Sequence, residues 1–351
     1  MLSRLFGRKA AATVTIPVAG RCLEAESGAT ILATALKAGI AYPSNCRVGS
    51  CGECRSTLVE GKVKALTDFS YTLSAEDLAA GCILACQAVP KGPVTVEPVL
   101  PLRDLPGDGR AAAGLPARIL EVVPLTADIR RVVLELDAPL PFAPGQYASW
   151  TVPGIAAGRA YSFAAAPHPG ETRIPFTIRH VPGGALTDWL FAADRRGETV
   201  LLDGPFGQFG LKPGAGPALL IAGGSGLGPV LSLLEALAAA GERRRLTVLF
   251  GARTAADLYD LDRLAALGDR LDLAVRPILS AEPADSGWRG ERGLVTEPLA
   301  AIDLPETAAL CGPPAMIDAA VAVLTARGLP PSAISFDKFA DARDGLERSA
   351  A

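Results

Sequence analysis

The sequence predicts a multidomain chain that runs from an α+β unit through an antiparallel β-barrel to a parallel α/β unit. Three observations carry this prediction. A chain of 351 residues exceeds one typical core and suits two or three domains. Six short β-rich runs (ARILEVV, IRRVVLEL, QYASWTV, RAYSFAAA, IPFTIRHV and ETVLLDG) recur with turn residues between them, as in a small barrel. Beyond residue 213, apolar strands such as PALLIAGG, RLTVLFGA, LDLAVRPIL and TAALCG alternate with helices such as VLSLLEALAAAG and AMIDAAVAVLTARG.

The elements divide the chain in order. Residues 1–10 read as a basic tail, and residues 11–100 as a compact unit of strand, strand, helix, cysteine loop and strand. There TVTIPV and RCLEAE suit strands, while TILATALKAG has one apolar helical face and Gly39 as its C-terminal stop. Residues 101–115 contain the Pro-, Gly- and Asp-rich PLRDLPGDGRAAAG without an apolar period, hence a linker. The barrel is assigned to 116–212, interrupted by the helix ALTDWLFAA, the α/β unit to 213–340, and a disordered tail to 341–351.

Composition narrows the function. Apolar residues make up 49% and charged residues 20%, with a net charge of −3, which lacks the basic excess of a nucleic-acid binder. The start MLSRLFGRKA does not lead into a secretory apolar core, so a cytosolic location is expected. The long apolar stretch from Gly216 to Gly241 is broken by Gly223, Gly224, Gly226, Gly228 and Pro229, where a strand turns into a helix, and is not read as membrane-spanning.

Seven cysteines without an export signal argue against a disulfide framework. Cys46, Cys51 and Cys54 stand in C-x4-C-x2-C spacing, and 31 residues separate Cys54 from Cys86. That is the spacing of plant-type [2Fe–2S] ligands. Four thiolates with bridging sulfides concentrate negative charge, which is stabilised by the N–H groups of a tightly wrapped loop; Gly49 and Gly52 permit the wrapping. Zinc is disfavoured because a second close cysteine pair is missing and His168 and His180 lie far off. Cys82 is an alternative fourth ligand, read instead as a small buried side chain, and Cys22 is read as core.

Downstream, Arg159, Tyr161 and Ser162 form R-x-Y-S; a guanidinium suits a pyrophosphate, a phenol ring can cover a flavin, and a hydroxyl can reach its N5 edge. Gly183 and Gly184 then open a helix whose free amides suit a phosphate. The run LLIAGGSGLGP puts Gly224, Ser225, Gly226 and Gly228 between a strand and a helix, with Pro229 in the first helical turn. In CGPP, Cys311 ends a strand and Gly312 and Pro313 turn into a helix. After RLTVLFGA, Arg253 suits a 2′-phosphate and Asp257 a 2′-hydroxyl, so the two residues conflict over NADPH and NADH.

Together CRVGSCGEC, RAYSF, VPGG, GPFGQFGL, AGGSGLGP, CGPP and the terminal FDKF resemble the reductase components of bacterial multicomponent oxygenases, over nearly the full chain. These are similar to ferredoxin–NAD(P)+ reductases with an N-terminal plant-type ferredoxin domain. The resemblance implies a β-grasp [2Fe–2S] domain, a six-stranded antiparallel FAD-binding barrel and a parallel α/β NAD-binding domain. It implies FAD more than FMN, NADH more than NADPH, and a monomer. It assigns the flavin to Arg159, Ala160, Tyr161, Ser162, Thr177, Ile178, Arg179, Gly184, Ala185, Leu186, Thr187 and Phe339. It sets the Cys311 thiol beside the nicotinamide as a positioning group, with Ser162 and Cys311 nearest the chemistry.

The expected activity is electron transfer from NADH through FAD and the cluster to an oxygenase or hydroxylase docking near the loop from Ser44 to Cys54. The chain itself has no Glu-x-x-His pair, since Ala165 and Thr177 stand three residues before its two histidines, so a di-iron site is not housed in it. Competing readings are a stand-alone quinone, ferredoxin or cytochrome reductase and a non-catalytic Fe–S sensor. Residues 1–9 read first as a frayed, solvated tail; the alternative, from Leu2, Leu5 and Phe6 opposite Arg4, Arg8 and Lys9, is a contact with the inner membrane face or a membrane-bound hydroxylase.

Overall fold

The computed structural model describes residues 12–44, 49, 52–102, 112–155 and 158–339. Two compact units emerge, divided between residues 111 and 112. Residues 1–11 and 340–351, which include both sequence-predicted tails, lie outside the described residues.

In the first unit β1 (Ala12–Ile16) and β2 (Arg21–Ala25) pair antiparallel. Helix α1 (Ile31–Lys37) follows, begun by Thr30, whose Oγ1 accepts the Ala33 N–H at 3.2 Å. Ile31, Leu32 and Ala35 form its buried face, and Gly39 ends it in the left-handed region at φ 75°. Then come β3 (Arg55–Glu60), β4 (Val63–Ala65), α2 (Ala75–Ala79), β5 (Cys82–Leu84), β6 (Ala88–Pro90) and β7 (Val94–Pro98). The main sheet has the order β2-β1-β7-β3-β5 with β1 and β7 parallel, and α1 packs on it as in a β-grasp fold. Tyr42 shares a 2.6 Å hydrogen bond with Ser56 in this core, and burial pushes its phenol up to about 12. Cys82 is buried in β5, but Cys22 is exposed, contrary to its reading as core. The pleat turns Leu23 and Ala25 inward, and Cys22 therefore faces outward.

The second unit opens with the barrel strands β8 (Ala112–Pro124), β9 (Ile129–Leu136), β10 (Tyr147–Thr151), β11 (Arg159–Ser162) and β12 (Arg173–Arg179). Helix α3 (Ala185–Ala192) and β13 (Thr199–Phe206) complete it. The strand order is β11-β10-β13-β8-β9-β12, and the two edges meet where Phe163 bridges Phe176 and the Ala164 N–H reaches the Pro175 carbonyl at 2.9 Å. The six strands thus close around a core of Trp150, Phe163 and Phe176, whose burial contributes on the order of 2–3 kcal/mol per ring. Strand β8 begins inside the segment 101–115 expected to be a linker. Pairing with β13 supplies hydrogen bonds that the composition of AAAG does not announce.

The parallel half holds β14 (Ala218–Gly223), α4 (Leu227–Ala239), β15 (Leu246–Ala252), α5 (Leu261–Gly268), β16 (Leu273–Leu279) and β17 (Glu291–Arg292). After these come β18 (Thr307–Gly312), α6 (Pro314–Ala326) and β19 (Ile334–Lys338). Its order is β17-β16-β15-β14-β18-β19, parallel throughout. Every residue of β14 and β18 is buried, as in a sheet covered on both faces. The chain first builds outward from β14 through β15 and then crosses back to β18. The carboxyl ends of β14 and β18 therefore flank a topological switch point, the place where open α/β sheets bind ligands. Ile129 and Phe209 share one core with Leu227, Val230 and Cys311, which joins the barrel to the parallel sheet within this unit. Among the described residues, no helix is long and apolar enough to cross a membrane.

Candidate functional site

At the switch point the backbones of two distant segments nearly touch. A Cβ on Gly226 would stand 2.3 Å from the Cys311 carbonyl oxygen, so only glycine lets the Gly-rich loop lie against CGPP. Gly228 likewise faces Thr177 and Ala164 of the barrel, with a Cβ at 3.1–3.2 Å from both. At both positions the Cα face is packed against protein, so what they can offer a cofactor is backbone alone. Gly224 is different: it has φ 54°, and it lines a cleft of ≈ 230 Å³. Ser225 is buried.

The cleft brings the two halves of the unit together. Asp128, Ile129 and Arg179 come from the barrel, and Arg253, Asp257, Ser280, Leu294, Pro313 and Met316 come from the parallel sheet and its loops. Arg179, assigned to the flavin by resemblance, lies in this cleft, and its Nε donates to Asp128 Oδ2 at 2.8 Å. Arg253 is exposed and makes no ion pair among the described residues. Asp257 is committed locally, because one carboxylate oxygen accepts both the N–H and the hydroxyl of Thr254 at 2.9 Å. This capping box starts a short helical turn and sets Asp257 in the cleft wall. Sequence reasoning passed over Asp128, Ser280, Leu294, Met316 and Tyr259. The Tyr259 hydroxyl donates to the Gly224 carbonyl at 2.9 Å, a contact with no local sequence signal.

The barrel motifs occupy neighbouring strands. In β11, Arg159 is half-buried, Ala160 exposed and Ser162 buried, while Tyr161 sets its ring edge-on to Trp150 at 5.2 Å. Burial pushes the Tyr161 phenol up, and it keeps its proton. Ile178 and Leu186 point into the barrel core, which leaves only their backbones for a ligand. Thr177 is buried at the contact with Gly228. The Thr187 hydroxyl accepts the Val181 N–H at 3.2 Å and donates toward the Val181 carbonyl at 3.0 Å. These bonds lock the turn that leads into α3. Gly184 caps α3 without a side chain, so the first-turn amides of Ala185 and Leu186 have no side-chain cap to serve. At the far end Arg130 donates to the Leu190 and Phe191 carbonyls at 3.0 and 3.3 Å, holding the helix from behind. His180 bonds Asp188 at 2.8 Å and stacks on Phe191, whereas His168 is exposed.

Cys311 is fully buried in β18. Burial, and then the Asp337 carboxylate beside it, push its thiol well above the usual value, so it stays protonated and is no nucleophile. Gly312 follows at φ 148°, and its carbonyl accepts the Phe339 N–H at 2.9 Å, which draws the C-terminal aromatic ring onto the shared core.

In the first unit Cys54 and Cys86 are buried, while Cys46 and Cys51 lie outside the described residues. Gly49 and Gly52 hold φ 83° and 73°, and the Thr72 hydroxyl donates to the Gly49 carbonyl at 2.5 Å. Two buried thiols beside a left-handed glycine loop form a donor set that fits a thiolate-held cluster.

Three family models match in chain order: a 2Fe-2S iron-sulfur cluster binding domain over residues 14–91, an oxidoreductase FAD-binding domain over 116–210 and an oxidoreductase NAD-binding domain over 220–322. The chain is 37% identical over 344 residues to the xylene/toluene monooxygenase electron transfer component of Pseudomonas putida, covering 96% of each. It is also 37% identical to the aromatic O-demethylase reductase subunit of an Amycolatopsis strain, covering 94% of this chain and 99% of the relative. This chain belongs to the reductase components of multicomponent oxygenases. Among solved structures, this reductase component superposes on an Amycolatopsis cytochrome P450 reductase with a TM-score of 0.80 at 35% identity, covering 93% of this chain and 98% of that one. As a reductase component it is an oxidoreductase with [2Fe–2S], FAD and NAD(H) as its cofactors. The uncapped α3 amides offer donors that suit a phosphate, and the switch-point cleft carries the cations Arg179 and Arg253, which suit a dinucleotide's phosphates.

Proposed function

We propose that this reductase component takes electrons from NADH and delivers them singly, through FAD and the cluster of Cys46, Cys51, Cys54 and Cys86, to an oxygenase component. One observation carries the proposal: the cleft at the switch point is walled jointly by the barrel residues Asp128 and Arg179 and by the Gly224 and Pro313 loops. A donor held there lies against the barrel that holds the acceptor. When bound, the nicotinamide supplies a hydride, the flavin divides its two electrons, and the cluster passes them on one at a time.

The chain's own groups bind and orient. Arg159 and the amides of Ala185 and Leu186 hold the flavin pyrophosphate, Tyr161 covers the ring and Ser162 faces its reacting edge. Protonated Cys311 serves beside the nicotinamide as a positioning group, without forming a bond. Arg253 and Arg179 hold the donor's phosphates, with Arg179 oriented by Asp128. The oxygenase docks at the loop from Ser44 to Cys54, the reductase works as a monomer, and residues 1–10 touch the membrane face or a membrane-bound partner.

An anaerobic titration of the purified protein with NADH and with NADPH tests this. Bleaching of the flavin band by NADH at lower concentration than by NADPH, followed by a reduced-cluster EPR signal, is the expected result. A protein with neither signal overturns the reading. Deleting residues 1–10 is expected to lower co-sedimentation with membranes; unchanged sedimentation removes the membrane contact.

A further inference from the structure

The corner between β15 and α5 is built around two residues that the electron path leaves unused. Tyr259 is buried, its ring set edge-on to Phe250 at 5.7 Å, and its hydroxyl donates to the Gly224 carbonyl at 2.9 Å. That carbonyl also accepts the Leu227 N–H at the start of α4. Two donors thus fix one peptide plane. Because a trans peptide opposes its C=O and N–H, the Ser225 N–H is held pointing away from Tyr259.

The corner itself cannot drift. Asp260 is the one non-glycine residue with positive φ among the described residues, at 56°. That conformation costs less for aspartate than for most residues, and it persists where its surroundings enforce it. They do: its carboxylate pairs with Arg131 of β9 and, at 3.1 Å, with Arg263. Arg263 also pairs with Glu235 at 2.5 Å, and Glu235 accepts the Ala166 N–H of the barrel at 2.9 Å. Tyr259 is therefore anchored, through its neighbour, to the same barrel that supplies Asp128 and Arg179 to the cleft.

We propose that Tyr259 is a positioning residue for the dinucleotide: its hydroxyl locks the Gly224–Ser225 peptide in the orientation in which the loop receives a phosphate of NAD(H). The inference rests on the donor site proposed above. The buried phenol, pushed well above its ordinary value by desolvation and then by Asp260 and Cys311, remains a donor across the working pH range. Without it the Gly224 carbonyl keeps one partner, and the left-handed glycine is free to rotate its peptide.

Tyr259→Phe removes one oxygen and leaves the packed ring. In the holoprotein, NAD+ binding by calorimetry and KM for NADH are expected to weaken together by roughly five- to tenfold, the worth of one hydrogen bond. At saturating NADH, kcat and the flavin spectrum are expected to stay at wild-type values, the split of a ground-state binding contact. A variant that melts earlier with unchanged NAD+ affinity makes the hydroxyl a structural bond and overturns the proposal, as does a loss of kcat at constant KM. Failure of the wild type itself to bind NAD+ or to bleach with NADH overturns the donor-site reading beneath it.

Discussion

Two glycine turns precede helices in the second unit, and they make room for different things. Before α3, Gly184 relieves a local turn: a Cβ there would meet the Thr187 hydroxyl and the Val181 carbonyl, each at 2.9 Å, within seven residues of chain. Before α4, Gly226 relieves a tertiary contact, because the atom it avoids belongs to Cys311 on another strand. The first turn leaves the opening amides of α3 without a side-chain cap. The second brings two strand ends together so that a cleft forms beside them. Similar-looking glycine pairs thus differ in what a substitution breaks.

The comparison is tested first at its strongest point. Gly226→Ala drives a methyl into backbone that cannot swing aside, and is expected to destabilise the second unit by at least about 3 kcal/mol. Thermal melting would drop and NADH-dependent flavin bleaching would vanish, while dithionite would still develop the cluster EPR signal. Retained melting would erase the distinction between the turns.

Gly184→Ala is milder, because its φ of −80° suits any residue and its nearest contacts, at 2.9 Å, need a smaller shift than the 2.3 Å at Gly226. A loss of about 1–2 kcal/mol is expected. Flavin retained through gel filtration would fall, with KM for NADH unaltered in the flavin-loaded fraction. Thr187→Val removes the hydroxyl lock on Val181 and is expected to cost about 1 kcal/mol, read as a lower melting midpoint.

The smallest effect comes with pH. The Tyr259 phenol is raised above its ordinary value of 10.0, so the folded protein holds a proton that the unfolded chain releases above that point. Its contribution to stability is complete below pH 10 and is lost as pH rises beyond it toward the raised value. Denaturant titrations of wild type and Tyr259→Phe are expected to run parallel from neutral pH to pH 10 and then converge, with the wild type falling faster. A constant gap above pH 10 would show that the hydroxyl is not buried in solution.

Much of the site was legible because its chemistry is written in short runs. The cysteine spacing is a matter of residue types at fixed separations, and RAYSF, AGGSGLGP and CGPP each lie at the end of a strand, where residue type reports backbone need directly. Other features depended on the fold. The start of β8 at Ala112 is decided by pairing with the distant β13, the outward face of Cys22 by the pleat of β2, and the orientation of Asp257 by the cap it forms with Thr254. Tyr259 sits in an ordinary DLYDLD stretch, and nothing there reports that Gly224, 35 residues earlier, needs its hydroxyl.

Alone, the sequence determined the domain order, the cluster spacing and the family, since each is a matter of residue types at fixed separations. Only the tertiary structure decided which glycines pack against protein and which line the cleft at the switch point, and that the barrel shares the walls of that cleft. The reason is steric. Whether a Cβ fits at Gly226 depends on the Cys311 carbonyl, and that oxygen arrives only when β14 and β18 lie side by side.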